Sequence, residues 1–247
     1  MQITGAIITK NEESNIKDCI LSLQNVCDEI IVLDSGSKDK TKSIVESSEA
    51  TVIIEPWKGF EHAKNRLNQL ANFPYVLNLD ADERLSPELE KSILNIKKEL
   101  KGSYSMNRLN NYCGTWIKYC GWYPDKKIRL FPKETEWKGG SLHEYPDVSQ
   151  WPIAHLHGDI LHYTYPTYKD HYNKLEEYAS LAANNLKGKN RLLLCFKYWL
   201  SPIFKFLKMY FIKMGFLDGK NGYILCKTSA KGQKRKFEIA LNAKSPA

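Results

Sequence analysis

The sequence predicts an α/β chain on a mostly parallel sheet, with a helical extension at its C-terminal end. Two observations predict it. Four short apolar runs, residues 3–8, 30–33, 51–54 and 75–79, recur through the first third of the chain. Each has the length and composition of a buried strand. Between them lie stretches of helical periodicity, and strand alternating with helix selects parallel pairing.

The first run reaches Lys10-Asn11-Glu12-Glu13 too soon for a secretion signal, whose apolar stretch follows basic residues, so it is the first strand. Residues 13–26 place Ile16, Cys19, Ile20 and Leu23 on one helical face, and 39–48 and 60–71 make the next two helices. Ser86-Pro87-Glu88 supplies an N-cap, a first-turn proline and a first-turn acid for a helix to about residue 100, with Gly102 as its stop. From 104 to 165 the texture becomes aromatic-rich and turn-broken, which predicts mixed sheet and long loops. After Pro166 the chain turns helical through 168–186 and enters an apolar, basic stretch over 191–217. The expected organisation is one α/β domain over 1–165, divided near 100, and a helical region over 166–247.

With 43% hydrophobic and 26% charged residues, the composition is that of an ordinary globular protein and excludes wholesale disorder. Thirty-six Lys and Arg against 28 Asp and Glu give +8, which suits an anionic partner: nucleotide phosphates, lipid headgroups or nucleic acid. No RNA-recognition, helix-turn-helix or finger pattern is present, so nucleic acid is not the expected partner. The six cysteines form no C-x-x-C pair and are expected as reduced thiols of a cytosolic protein.

The sharpest chemical signal is Asp80-Ala81-Asp82-Glu83, directly after the run at 75–79. Ligands of open parallel sheets bind at the carboxyl ends of strands. Two carboxylates there suit a hard cation, Mg²⁺ or Mn²⁺, completed by substrate phosphates; a solvated acidic turn reads the same way. Asp34-Ser35-Gly36-Ser37-Lys38-Asp39-Lys40-Thr41 follows the second run and Thr9-Lys10-Asn11-Glu12 the first, so three polar loops share one sheet edge. None carries G-x-G-x-x-G or a G-K-[ST] loop, which excludes dinucleotide dehydrogenases and P-loop enzymes.

These three motifs, in this order, resemble the family 2 glycosyltransferases of the GT-A fold. Cys120-Gly121-Trp122-Tyr123-Pro124-Asp125, Arg129-Leu130-Phe131 and Leu142-His143-Glu144 resemble the branch that glucosylates inner-core heptose of lipopolysaccharide. The resemblance implies a Rossmann-like nucleotide-sugar half over 1–100 and an acceptor half over 101–165. It implies that Asp34 contacts the nucleoside and that Asp80 and Asp82 hold the ribose and the metal-bound diphosphate. Thr9, Asn11, Glu12 and Lys64 would line the donor pocket, and Arg129 would meet the diphosphate. The activity implied is inverting transfer of a hexose, glucose, from a UDP-sugar to a lipid-linked saccharide. An acceptor hydroxyl is a very weak acid, so a carboxylate must take its proton; Glu144 is the expected base and Asp125 the reserve. The alternative is a basic peripheral membrane or nucleic-acid-binding protein without catalysis.

His155, His157 and His162 alternate as on a strand and are expected to be structural. Trp116, Trp122, Tyr123 and Trp137 supply at most one stacking surface for a sugar. Lys197, Lys205, Lys208 and Lys213 interrupt 191–217, so the stretch does not span a bilayer. Ser201-Pro202 reads as the start of a basic amphipathic helix, which either packs on the domain or lies on an anionic membrane surface, at the inner face of the cytoplasmic membrane.

Overall fold

Ile3–Thr9 forms strand β1, buried along its whole length because strands flank it on both sides. It pairs in parallel with β2 (Glu29–Asp34) and with β4 (Tyr75–Asp80), and β3 (Thr51–Ile54) extends the sheet beyond β2. The registers set Thr9 opposite Asp34 and Ile8 opposite Asp80, so three chemically active strand ends share one edge. β3 was expected to be buried. It is the outermost strand instead, with Ile54 exposed.

This computed structural model describes residues 1–140, 144–186 and 188–242. The chain forms two compact units, Met1–Arg108 with Asp125–His162, and Leu109–Pro124 with Tyr163–Ala247.

In the first unit, helices α1 (Ile16–Leu23), α2 (Thr41–Glu46) and α4 (Pro87–Ile96) share one core. Ile3, Ile7, Ile20, Leu23, Val45, Leu77 and Leu89 pack there. Alternate strand residues face the other way: Ala6, Ile8, Leu33 and Val76 meet Ala63 and Leu67 of α3 (Phe60–Leu70). Helix α4 starts as predicted, Ser86 Oγ accepting from Leu89 N at 3.2 Å. It ends at Ile96 and tightens into a 3₁₀ turn, Lys97–Glu99. Gly102, at φ +79°, serves the entry to the next strand rather than the helix stop.

The segment from 104 to 165 supplies the antiparallel part of the sheet. Among the described residues the strand order is β3-β2-β1-β4-β8-β6-β11-β5. Here β5 is Glu83–Leu85, β6 Ser103–Tyr112, β8 Asp125–Pro132 and β11 Ile153–Tyr165. β8 runs antiparallel to β4 and β6, which sets residues of β8 beside the carboxyl end of β4. A separate hairpin joins β9 (Glu136–Lys138) to β10 (Tyr145–Asp147). At Gly158 a Cβ would come within 2.3 Å of Leu89 N, so only glycine lets α4 approach β11 this closely.

The second unit contains the end of β6 paired with β7 (Thr115–Ile117) and helices α5 (Tyr168–Asn184), α6 (Arg191–Leu207) and α7 (Gly219–Asn242). Thr167 and Asp170 cap α5 reciprocally. Ser201-Pro202 does not start a helix. Asn190 is the N-cap of α6, its Oδ1 accepting from Leu192 N at 2.9 Å and Leu193 N at 3.3 Å, and Pro202 sits inside that helix. The Asn190 side chain thereby satisfies two N–H donors of the first turn that have no acceptor within the helix. All six cysteines are free thiols.

His171 of α5 is buried beside Tyr112, whose hydroxyl lies 2.9 Å from its Nδ1. Burial, and next to it the charge of Lys205, pull the imidazole from the ordinary 6.5 to about 4. Between those values the unfolded chain binds a proton that the folded chain does not, so stability falls as pH drops through that window. Thermal unfolding at about pH 7 and about pH 5 should show a smaller loss in His171→Gln than in wild type. An equal loss in both would remove His171 as the cause.

Candidate active site

The carboxyl ends of β1 and β2 are tied into one platform by their own loops. Asn11 N donates to Ser37 Oγ and Lys38 N donates to Asn11 Oδ1, both at 2.8 Å. Glu12 N donates to Thr41 Oγ1 at 2.8 Å, and Glu13 N to Asp39 Oδ2 at 3.1 Å. Asp34 is buried, and its Oδ1 accepts from Ser37 N and Ser37 Oγ. That Asx-type turn is the local reason an Asp followed by Ser-Gly-Ser folds this way. Burial raises the Glu12 carboxyl, against the Asn15 hydrogen bond, and the charges of Asp82 and Asp39 raise it further.

A second set of residues forms a chain of alternating charge inside the first unit. Glu144 Oε1 lies 3.1 Å from Lys64 Nζ, and Lys64 Nζ lies 3.5 Å from Asp80 Oδ1. Asp80 Oδ2 accepts from Arg129 Nη2 at 2.8 Å, and Arg129 donates to Glu83 Oε1 at 2.7 Å. Glu83 also accepts from Arg108 Nη1 at 3.2 Å, and Arg108 closes on Asp125 Oδ2 through Nε at 3.0 Å and Nη2 at 2.8 Å. Four carboxylates are interleaved with three cations. Glu83 is fully buried, Lys64 and Arg129 nearly so. Buried charges at this density are tolerable only because each meets opposite charge.

Local structure explains the placement. Lys64 is on the inner face of α3 with Ala63, Leu67 and Asn68, and its ammonium lies 4.5 Å from the Trp137 ring centroid. Asn65 clamps the β9 backbone, donating to Trp137 O at 2.9 Å and accepting from Trp137 N at 2.8 Å. This anchors the hairpin whose second strand begins just after Glu144. Burial alone would raise the Asp80 carboxyl; the charges of Arg129 and Lys64, with the Arg129 hydrogen bond, outweigh it and hold it well below the usual carboxylate range. For Arg129, Asp80 and Glu83 outweigh burial and raise the guanidinium further.

The structure thus brings Lys64, Asp80, Arg129 and Glu144 into direct contact and sets Thr9, Asn11, Glu12 and Asp34 in the adjoining platform. Asp125 stands at the far end of the ionic chain, with Lys127 Nζ 3.1 Å from its Oδ1. Asp82 points away from that chain, its Oδ2 3.2 Å from His162 Nε2, so His162 orients a carboxylate. Leu142 and His143 lie outside the described residues. Trp137 is buried against Phe131 at 5.7 Å and serves as core, while Trp116 and Trp122 pack within the second unit. Glu83, Arg108 and the Asn78 side chain, 3.3 Å from Arg129 Nη1, were assigned no role from sequence. Glu83 had a signal, its place directly after Asp82; Arg108 had none.

Three buried polar atoms at this edge have no hydrogen-bond partner: Thr9 Oγ1, Ser35 Oγ and Asp80 Oδ1. Buried polar groups are nearly always paired; such atoms occur elsewhere in the chain as well, and these three lie at the carboxyl ends of parallel strands, where ligands of open sheets bind. Among the described residues, no group of three or more His, Cys, Asp and Glu is arranged to hold a metal. Asp82 and Asp80 nevertheless offer two carboxylates of the oxygen type that hard cations take together with phosphate.

Comparison with known proteins gives consistent matches. The model of Glycosyl transferase family 2 matches residues 6–147. An uncharacterized glycosyltransferase of Rickettsia typhi is 30% identical over 236 residues, covering 90% of this chain and 81% of that one. LpsC of Rhizobium meliloti, a lipopolysaccharide core biosynthesis glycosyltransferase, is 26% identical over 249 residues, covering 93% and 88%. A solved glucosyl-3-phosphoglycerate synthase from Mycobacterium tuberculosis, in complex with Mn²⁺, UDP and glucosyl-3-phosphoglycerate, aligns with a TM-score of 0.49. That alignment covers 66% of this chain and 72% of the other, at 18% identity.

Proposed function

This chain belongs to glycosyl transferase family 2, and on that premise we propose that it transfers glucose from UDP-glucose to a lipid-linked saccharide, the lipopolysaccharide core, with inversion. The observation that carries the reading is the meeting of three buried polar atoms that lack a hydrogen-bond partner with an alternating ionic chain at the carboxyl edge of β1, β2 and β4. The printed role of LpsC in lipopolysaccharide core biosynthesis supports the choice of acceptor.

In this reading Asp34, Thr9, Asn11 and Glu12 receive the nucleoside, and Lys64, Asp80 and Arg129 form the floor beneath the diphosphate. An acceptor oxygen attacks the anomeric carbon as the bond from that carbon to the diphosphate breaks. The electron pair leaves with the nucleoside diphosphate, and the acceptor proton passes to Glu144. Lys64, shared by Asp80 and Glu144, ties the base to the donor side.

A divalent cation, Mg²⁺ or Mn²⁺, fits these residues. Asp82 is its better holder, because Asp80 is already neutralised by Lys64 and Arg129. When bound, the metal would offset charge developing on the leaving diphosphate. The enzyme would work at the inner face of the cytoplasmic membrane; among the described residues no helix is long and apolar enough to cross one.

The test incubates the full chain with UDP-glucose or UDP-galactose and a core oligosaccharide lipid lacking the terminal hexose. A gain of one hexose from UDP-glucose supports the proposal. Absence of transfer and of UDP release from every UDP-sugar would sink it and leave a non-catalytic binder.

A further inference from the structure

Helix α6 buries Leu194 and leaves one apolar face uncovered. Leu192, Phe196, Trp199, Ile203 and Leu207 recur at steps of four and three residues along α6 and are all exposed, so they form one stripe. Leu193 and Phe204 widen it, and Phe211 and Ile212 continue it into the π turn Lys208–Ile212. Leu192 is 81% exposed, Trp199 66% and Phe204 67%, values at which a large apolar side chain gains nothing from the fold. A contiguous exposed apolar patch of this kind marks an interaction surface.

The charges around the stripe select its occupant. Residues 191–217 contain Arg191 and four lysines, Lys197, Lys205, Lys208 and Lys213, and no Asp or Glu. Arg191, Lys197, Lys208 and Lys213 are exposed, and the Lys234 ammonium lies 5.3 Å from the Trp199 ring centroid. A second copy of the chain meeting this face symmetrically would bring cation against cation. An anionic bilayer offers hydrocarbon for the stripe and phosphate for its flanks.

We propose that the exposed face of α6 inserts into the acyl boundary of an anionic bilayer, with Trp199 at its centre and the flanking cations on lipid phosphates. This refines the expectation of a surface-bound basic helix: Lys205 is half-buried, and the outward face is mainly hydrocarbon rather than lysine. The proposal deepens the membrane location given above and rests on it, but it does not depend on the sugar transferred.

The test sediments the full chain with vesicles of phosphatidylcholine, alone or mixed with phosphatidylglycerol. Wild type is compared with the double variant Trp199→Asp, Ile203→Asp, both exposed positions whose folding is checked by circular dichroism. The expected result is binding to the anionic vesicles that weakens about tenfold or more in the variant. Lipids brominated on the acyl chain should quench wild type more than Trp199→Phe. Unchanged binding by the double variant, or equal quenching of wild type and Trp199→Phe, would overturn insertion. So would a wild-type dimer that the double variant makes monomeric, because the occupant would then be a second copy. UDP binding measured on the same preparations reports separately on the transferase reading.

Discussion

Arg129→Met should destabilise the chain by about 3–5 kcal/mol, the cost typical of removing one partner from a buried ionic group. Arg129 is 4% exposed and joins two carboxylates: the fully buried Glu83 at 2.7 Å and the part-buried Asp80 at 2.8 Å. Methionine fills the volume but leaves Asp80 with Lys64 alone and Glu83 with Arg108 alone. Those remaining cations place the expected cost toward the lower end of the range. Denaturant unfolding measures it, and adding Glu83→Gln to the variant should recover part of the loss, because the uncompensated charge disappears. A single variant within about 1 kcal/mol of wild type would show that the ionic chain is not what holds β4, β5 and β8 in register.

Glu144→Gln is expected to lower kcat by about 10²- to 10⁴-fold, the usual contribution of general-base assistance, while the KM for the sugar nucleotide stays close to wild type. The amide oxygen still accepts from Lys64, so the Lys64–Asp80 side of the site is kept and only basicity is lost. Asp125 is the weaker candidate on geometry. Arg108 holds its Oδ2 with two donors and Lys127 sits 3.1 Å from its Oδ1, so both oxygens are already committed to cations. Asp125→Asn should accordingly disturb stability more than chemistry. If Asp125→Asn lost kcat while Glu144→Gln kept it, the roles would be reversed.

The parallel part of the fold was legible because it is local. Each strand of β1, β2, β3 and β4 is announced by its own apolar run, and Ser86-Pro87 announces α4 within three residues. Which strand neighbours which is not local. Arg108, Glu83 and Arg129 belong to β6, β5 and β8, and their contacts arise from the pairing of β8 with β6 and β4, a register that no single segment encodes. Lys64 was expected in the donor pocket, yet its sharing between Asp80 and Glu144 depends on the Asn65 clamp across 72 residues. In the C-terminal region, Ser201-Pro202 matches a cap and first-turn pattern, yet the helix starts at Asn190 and runs through Pro202, a choice that packing makes and the local pattern does not. Helix α6 buries Leu194 and leaves an apolar face exposed, and periodicity alone does not say which face the protein covers.

The central claim is that the edge formed by Thr9, Asp34, Asp80 and Asp82 binds a nucleoside diphosphate with a divalent cation. Calorimetric titration of UDP into the purified chain, with and without Mn²⁺, tests it most directly when wild type is compared with Asp82→Asn. Wild type is expected to bind UDP more strongly with Mn²⁺, and the variant to lose that metal dependence. UDP binding of equal strength in both proteins, unaffected by Mn²⁺, would contradict the assignment of Asp82, and no UDP binding under any condition would contradict the donor site itself.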